Sequence, residues 1–385
     1  MSSHRALRDV VDQYYGPLRQ PAGTAPVAWV SAFAPVEILR AMGLACFYPE
    51  SYAATCSARG LGREMISVSS QRGLGRDVCS YARIFYGAVW DGLGPLGSLP
   101  RPDLLIATNN QCGTIPAWWE SLQESYGVPL FTVDYPREQE GLTPETLEYI
   151  RLQHRGVVDI ARQVSGADLD PDVLARVVGL SRRASDAWSR ILELRARPRF
   201  QGEVRTMIDA LFPIVVLRGT EACAHYYEVL YAEMARKPEG DAVRPRILWY
   251  GYPCWFLPGR VILPRVKRGR IVADTYTRWW VFDFQSADVW EGLSRVYGLT
   301  YLNRSPAEKV REVEALVSEY DIDAVLIHSN RSCKRVASAE NLVLQRLENL
   351  GIPSVRFEGD MADPTWHGGG SAEACVSALL EILGN

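Results

Sequence analysis

PDLLIATNNQC (residues 102–112) and DAVLIHSNRSC (residues 323–333) are the two stretches on which the fold turns. Each opens on or just after its first residue with an acid, runs through an apolar strand, and ends in an Asn-bearing loop closed by a cysteine. A helical pattern follows each, and then Gly127-Val-Pro129 or Gly351-Ile-Pro353 leads into another apolar strand. The preceding strands match too, VAWVSAFAP (27–35) against ILWYGYPC (247–254). Alternating strand and helix predicts an α/β fold with parallel sheets. The echo predicts that the chain holds this unit twice, as two related Rossmann-like domains.

Between the echoing units, apolar residues fall at helical spacing through 150–164, 171–178, 184–197 and 204–212, which predicts a joining helical segment. The expected organisation is an N-terminal helix within 1–26, a first α/β domain over 27–144 with Cys79 and Cys112, a helical segment over 145–240, and a second α/β domain over 241–385 with Cys333. A chain of 385 residues, 47% hydrophobic, suits two cores, because one core seldom grows past about 250–300 residues.

The formal net charge is −3, and no block of five basic residues suggests a nucleic-acid partner. The densest basic stretch, Arg265–Arg270, reads as a solvated turn or strand edge. The charged, amphipathic start MSSHRALRDVVDQYYG does not read as a secretion signal. No apolar run reaches the roughly 18–20 residues of a membrane helix, so a cytoplasmic protein is expected. The five histidines form no zinc pattern. Gly92–Gly97 and Gly368–Gly370 lack the strand–glycine–helix context of a phosphate loop, so the chain is not expected to hydrolyse ATP.

Eight cysteines are too few for a disulfide scaffold in a chain this long. Ligands of open α/β sheets lie beyond the carboxyl ends of the strands, where Cys112 and Cys333 fall. Cys79, in DVCSYAR (77–83), stands at the start of an apparent helix, whose N-terminus favours a thiolate or an anionic cluster. Three thiolates from separate loops can hold three irons of a cubane and leave the fourth iron open. On spacing alone, three buried structural cysteines are the plainer reading. Cys46, Cys56, Cys223 and Cys375 read as structural, and Cys254 is the one other candidate sulfur ligand.

The residues around these cysteines resemble the 2-hydroxyacyl-CoA dehydratase / benzoyl-CoA reductase family. The resemblance is carried by DVCSYAR, PDLLIATNNQCGTIPAWWE (102–120), YGVPLFTVDYP (126–136) and IHSNRSCKR (327–335). SAFAPVEILRAMGLACFYPE (31–50) and FEGDMADPT (357–365) also fit, and the likeness is greatest to the larger, substrate-binding dehydratase subunit. It implies a [4Fe–4S] cluster on Cys79, Cys112 and Cys333, a related second subunit in a heterodimer, and a separate ATP-hydrolysing iron–sulfur activator. It also implies a mechanism. One electron enters the carbonyl of a 2-hydroxyacyl-CoA, and the resulting ketyl radical expels the hydroxyl as water.

Within that reading, Glu50 is expected to move a proton or hold the departing hydroxyl, and Ser31 to hydrogen-bond the reacting oxygen. Asn110, His328 and Ser332 are expected beside the cluster, tuning its potential. Lys334 and Arg335 are expected to offset its charge or meet the CoA phosphates. The alternatives are a reductase subunit acting on an unsaturated acyl-CoA, or a non-catalytic binding or electron-relay subunit. The stretch after Asp363, Pro364–Gly370, departs from the family's arginine-bearing pattern, as do Ala374 and Cys375, which leaves the acyl group open. Tryptophan pairs at 118–119 and 279–280 suggest a large partner interface.

Overall fold

A computed structural model describes residues 3–18, 25–92, 94–95, 99–137, 141–200, 204–242, 244–256, 270–366 and 371–384. Two four-stranded, all-parallel sheets organise the chain. Strands β1 (Val27–Val30), β2 (Ala45–Phe47), β3 (Leu104–Thr108) and β4 (Leu130–Val133) form the first, in the order β2-β1-β3-β4. Strands β5 (Arg246–Tyr250), β6 (Arg270–Asp274), β7 (Ala324–Asn330) and β8 (Ser354–Gly359) form the second in the matching order β6-β5-β7-β8.

The repeated acidic residue has a physical role. Asp103 Oδ2 accepts from the backbone N–H of Val27 at 2.8 Å, and Asp323 Oδ2 accepts from that of Arg246 at 2.6 Å. Each acid therefore fixes the start of its domain's first strand against the third. β3 is buried along its whole length, as a central strand covered on both faces must be, hence its unbroken apolar run. In each sheet the chain leaves the first strand in one direction for the second and in the other for the third. A crevice opens at that reversal, beyond the carboxyl ends of β1 and β3 and of β5 and β7.

The helical stretch between the sheets differs in detail from the sequence expectation. The separate patterns at 171–178 and 184–197 belong to one helix, Pro171–Ala196. Asp170 caps it, accepting from the N–H groups of Asp172 and Val173. Gly179 lies inside it in open space, so the pause in apolar periodicity is not a break. Among the described residues no helix is long and apolar enough to cross a membrane. Of the basic stretch, residues 265–269 fall outside the described residues, while the backbone of Arg270 begins β6. Residues 93, 96–97 and 368–370 of the glycine-rich segments also fall outside them.

The tryptophan pairs do not furnish an interface. Trp118, Trp119, Trp279 and Trp280 are all buried in this chain's own core, Trp279 stacked on Tyr301 and Trp280 on Phe33. Flat, apolar rings of that size contribute more by filling the chain's own core than by waiting for a partner.

An ion pair joins the two α/β units from within. Arg83, on helix Ser80–Asp91, donates to Asp363 Oδ2 at 3.0 Å, and the two side chains are 4% and 1% exposed. Ser57 adds a bond to the Ala362 carbonyl at 2.8 Å. Arg83→Met is expected to leave Asp363 charged and buried without its cation, which costs about 3–5 kcal/mol. Urea unfolding of the two proteins measures it, and a midpoint unchanged from wild type would refute a structural role for the pair.

Candidate active site between the two sheets

The three cysteines come together. Cys79, Cys112 and Cys333 line one cavity of about 440 Å³, with Ser332, Gln111 and Glu50 in its wall. Each reaches it from the start of a helix. Cys79 is the N-cap of Ser80–Asp91, Cys333 is the N-cap of Lys334–Ala337, and Cys112 precedes Gly113, the N-cap of Thr114–Tyr126. Backbone amides aim at every sulfur: Tyr81 and Ala82 at Cys79, Ile115 and Thr114 at Cys112, Val336 and Arg335 at Cys333.

Those amides favour thiolates, but burial outweighs them. It pushes the Cys79 thiol far up, with the nearby Cys112 and Cys333 adding to it, and pushes Cys333 up to about 12. Cys112 rises for the same reason. Three thiolates cannot share this space without positive charge between them. Among the described residues no three His, Cys, Asp or Glu side chains close on a single metal ion. The residues whose side chains could hold a cluster there are the three cysteines, each binding a separate iron of a cubane. Arg137, Lys334 and Arg335 line the same cavity. Behind them Lys309, its Nζ donating to the Arg335 carbonyl at 3.0 Å, is lowered to about 8, mainly by burial.

Glu50 stands in the first turn of helix Pro49–Ala58, where Pro49 starts the helix and the helix N-terminus favours a carboxylate. Its Oε2 accepts from the Ala32 N–H at 2.7 Å, and its Oε1 from Gln111 Nε2 at 2.7 Å. Burial nevertheless raises its pKa to about 7, against the two hydrogen bonds. Gln111 Oε1 accepts from the Phe33 N–H at 3.3 Å and from Thr108 Oγ1 at 3.4 Å. Thr108 Oγ1 lies 2.9 Å from Ser31 Oγ. Ser31 is therefore tied to Glu50 through Thr108 and Gln111. It is fully buried, however, and lines neither the cysteine cavity nor the larger one beside it.

Glu50's folded pKa stands above its unfolded value of 4.5, so its contribution to stability is full below that value and lost as pH rises through about 7. Gln111→Leu removes one donor to the ionised form and should move the upper end of that loss to still higher pH. Urea unfolding of the iron-free protein across about pH 4–9 reads the shift; a curve matching wild type would count against the contact.

The other sequence candidates divide. Ser332 borders the cysteine cavity, its Oγ 3.1 Å from Ser80 Oγ. Asn110 turns away, donating to the Tyr297 carbonyl at 2.9 Å. His328 lies behind the second sheet, stacked on Phe357, its Nδ1 2.7 Å from the Tyr252 carbonyl oxygen. Cys254 packs beside that ring, Sγ 3.5 Å from Nε2, and lines neither cavity. Sequence patterns alone do not single out Gln111, Tyr81 and Tyr252, which border the cysteine cavity together with Glu50. The internal repeat is the signal that could have pointed to Tyr252, which follows β5 as Ala32 and Phe33 follow β1.

Two parallel α/β units thus contribute cysteine-bearing loops to one cavity with a buried carboxyl in its wall. Residues 31–383 match the family model described as 2-hydroxyglutaryl-CoA dehydratase, D-component, and the chain belongs to that family. Over 403 aligned residues it is 25% identical to the (R)-2-hydroxyisocaproyl-CoA dehydratase alpha subunit of Clostridioides difficile, covering 100% of this chain and 97% of that one. It is 26% identical to the lactoyl-CoA dehydratase alpha subunit of Anaerotignum propionicum, covering 93% of this chain and 90% of that one. It is also 26% identical to a benzoyl-CoA reductase subunit of Thauera aromatica, covering 92% and 88%.

Proposed function

We propose that this chain is the iron–sulfur subunit of a radical 2-hydroxyacyl-CoA dehydratase, working with a related second subunit and a separate ATP-hydrolysing activator. The observation that carries the reading is the convergence of Cys79, Cys112 and Cys333, from both α/β units, on a cavity whose wall includes Glu50. These three residues would hold a [4Fe–4S] cluster. When bound, it would supply one electron and an open, Lewis-acidic iron to the thioester carbonyl, the input by which a 2-hydroxyacyl-CoA becomes a ketyl and sheds its hydroxyl.

The chain's own residues would do the rest. Amides at three helix starts hold the sulfurs, and Arg137, Lys334 and Arg335 offset their charge. Glu50, with a pKa near neutrality, donates a proton to the leaving hydroxyl. The aromatic walls built from Tyr81 and Tyr252 keep water out. A second reading, reduction of an unsaturated acyl-CoA, is favoured by the similarity to a benzoyl-CoA reductase subunit at the same level of identity. Anaerobically reconstituted protein, assayed with a partner subunit, activator, ATP and a panel of 2-hydroxyacyl-CoAs and benzoyl-CoA, separates the two. Protein that takes up no iron would refute both.

A further inference from the structure

Lys309 is a buried cation that pairs with no carboxylate among the described residues. It stands near the start of helix Pro306–Glu319 and is 1% exposed. Two acids of the same helix, Glu308 and Glu312, pair instead with Arg311 and Arg304. Burial takes the water from the Lys309 ammonium, and a cation near a helix start opposes the helix dipole. The Arg335 and Arg137 guanidiniums also repel it. Its Nζ lies 5.5 Å from the centroid of the Tyr301 ring and donates to the Arg335 carbonyl at 3.0 Å.

That carbonyl belongs to the Arg335–Val336 peptide, whose N–H is one of the two that aim at the Cys333 sulfur. A trans peptide is planar, with its C=O and N–H pointing in opposite directions. Lys309, the peptide and the sulfur therefore form one hydrogen-bonded series, in which a charge at the carbonyl end strengthens the donor at the other. The ammonium and the Cys333 thiolate also favour each other directly. Arg335 extends the series to the first α/β unit, its Nε donating at 3.1 Å to the carbonyl of Gln111, the residue before Cys112.

We propose that Lys309 is a positioning residue for Cys333, which through the Arg335–Val336 peptide sets a fixed positive charge behind the sulfur and so eases reduction of a cluster held there. The proposal rests on the cluster reading. Its ground is the missing anion: a buried ammonium without a counter-charge is costly, and an anionic cluster on the three cysteines is the counter-charge this one lacks. Lys334, one residue from Cys333, cannot serve in the same way, because it is exposed and water screens it. Behind the cavity wall, the charge of Lys309 acts through protein instead.

The test compares Lys309→Met and Lys309→Gln with wild type after anaerobic reconstitution. Methionine keeps the length and removes both charge and donor; glutamine keeps a donor and removes the charge. Both variants are expected to take up wild-type amounts of iron. In a redox titration followed by visible absorption and electron paramagnetic resonance, both should disfavour the reduced cluster by about ten-fold, which lowers a one-electron midpoint by about 59 mV. A merely structural lysine predicts something else, a less stable fold. In the iron-free protein Lys309→Met should instead unfold at the same urea concentration as wild type or a higher one. The variant loses an unpaired buried charge, and the Arg335 carbonyl still accepts from Ser338 Oγ at 2.9 Å. A wild-type midpoint potential in either variant at full iron content, or a lower urea midpoint for iron-free Lys309→Met, would overturn the proposal while leaving the cluster in place. Wild-type protein that takes up no iron would overturn the cluster reading and this proposal with it.

Discussion

Alanine at Cys79, at Cys112 or at Cys333 is expected to abolish iron–sulfur incorporation and to reduce dehydration below detection, each substitution alone being sufficient. The three sulfurs enter one cavity from three different helix starts, so no neighbouring cysteine stands ready to replace a lost one. Cys254, the other candidate ligand, is packed against His328 behind the second sheet. Cys46, Cys56 and Cys223 are buried elsewhere in the core. The control is therefore built into the chain. Cys254→Ala and Cys223→Ala should keep full iron content, at a packing cost of about 1 kcal/mol each. Iron analysis and the visible absorption of anaerobically reconstituted protein read the result. Full iron content in any one of the three single variants would remove that cysteine from the ligand set.

Glu50→Gln is expected to keep the cluster and its spectrum while lowering turnover by about 10²-fold or more. Glutamine preserves the shape and can still meet the Ala32 N–H, but it cannot carry the proton. In the wild-type protein, burial puts the Glu50 carboxyl at about 7 in the iron-free state, and an anionic cluster on the three cysteines, whose cavity Glu50 lines, would raise it further. If Glu50 acts as the acid, activity should fall as pH rises through that value, and the Gln variant should lack this limb. The same substitution should flatten stability between pH 4.5, the unfolded value, and about 7, because wild type loses stability across that window and the variant has no group to titrate. Unchanged turnover with an intact cluster would make Glu50 a structural residue of the helix start.

Particular residues show how far the fold is written locally. Asp103 and Asp323, the apolar runs after them and the Gly-x-Pro entries recur because each builds the same local piece of an α/β unit. The placement of Cys112 and Cys333 beyond strand ends follows from that pattern, and so does Cys79 at a helix start. The helix of 26 residues at 171–196 looks divided in the sequence because apolar periodicity weakens around Gly179, where tertiary packing rather than propensity holds the helix.

The site is less legible. Which way a side chain leaves a strand end depends on register and twist, and these are set by neighbours distant in the chain. Asn110 and Cys112 stand two residues apart in one loop. Asn110 donates to the Tyr297 carbonyl, while Cys112 faces the cavity. Nothing in the local pattern separates the two outcomes, because the partner that draws Asn110 away comes from the other α/β unit.

The two α/β units, their parallel strands and the three cysteines at loop positions could be read along the chain, because strand, helix and turn preferences act over a few residues. Folding in three dimensions was needed to bring Cys79 of the first unit into one cavity with Cys333 of the second. It was needed as well to set Gln111 against Glu50, to keep Ser31 beneath the wall, and to pair His328 with Cys254 behind the second sheet. The physical reason is that burial, and with it the raised pKa values of Glu50 and the cysteines, is a property of what the rest of the chain packs around a group.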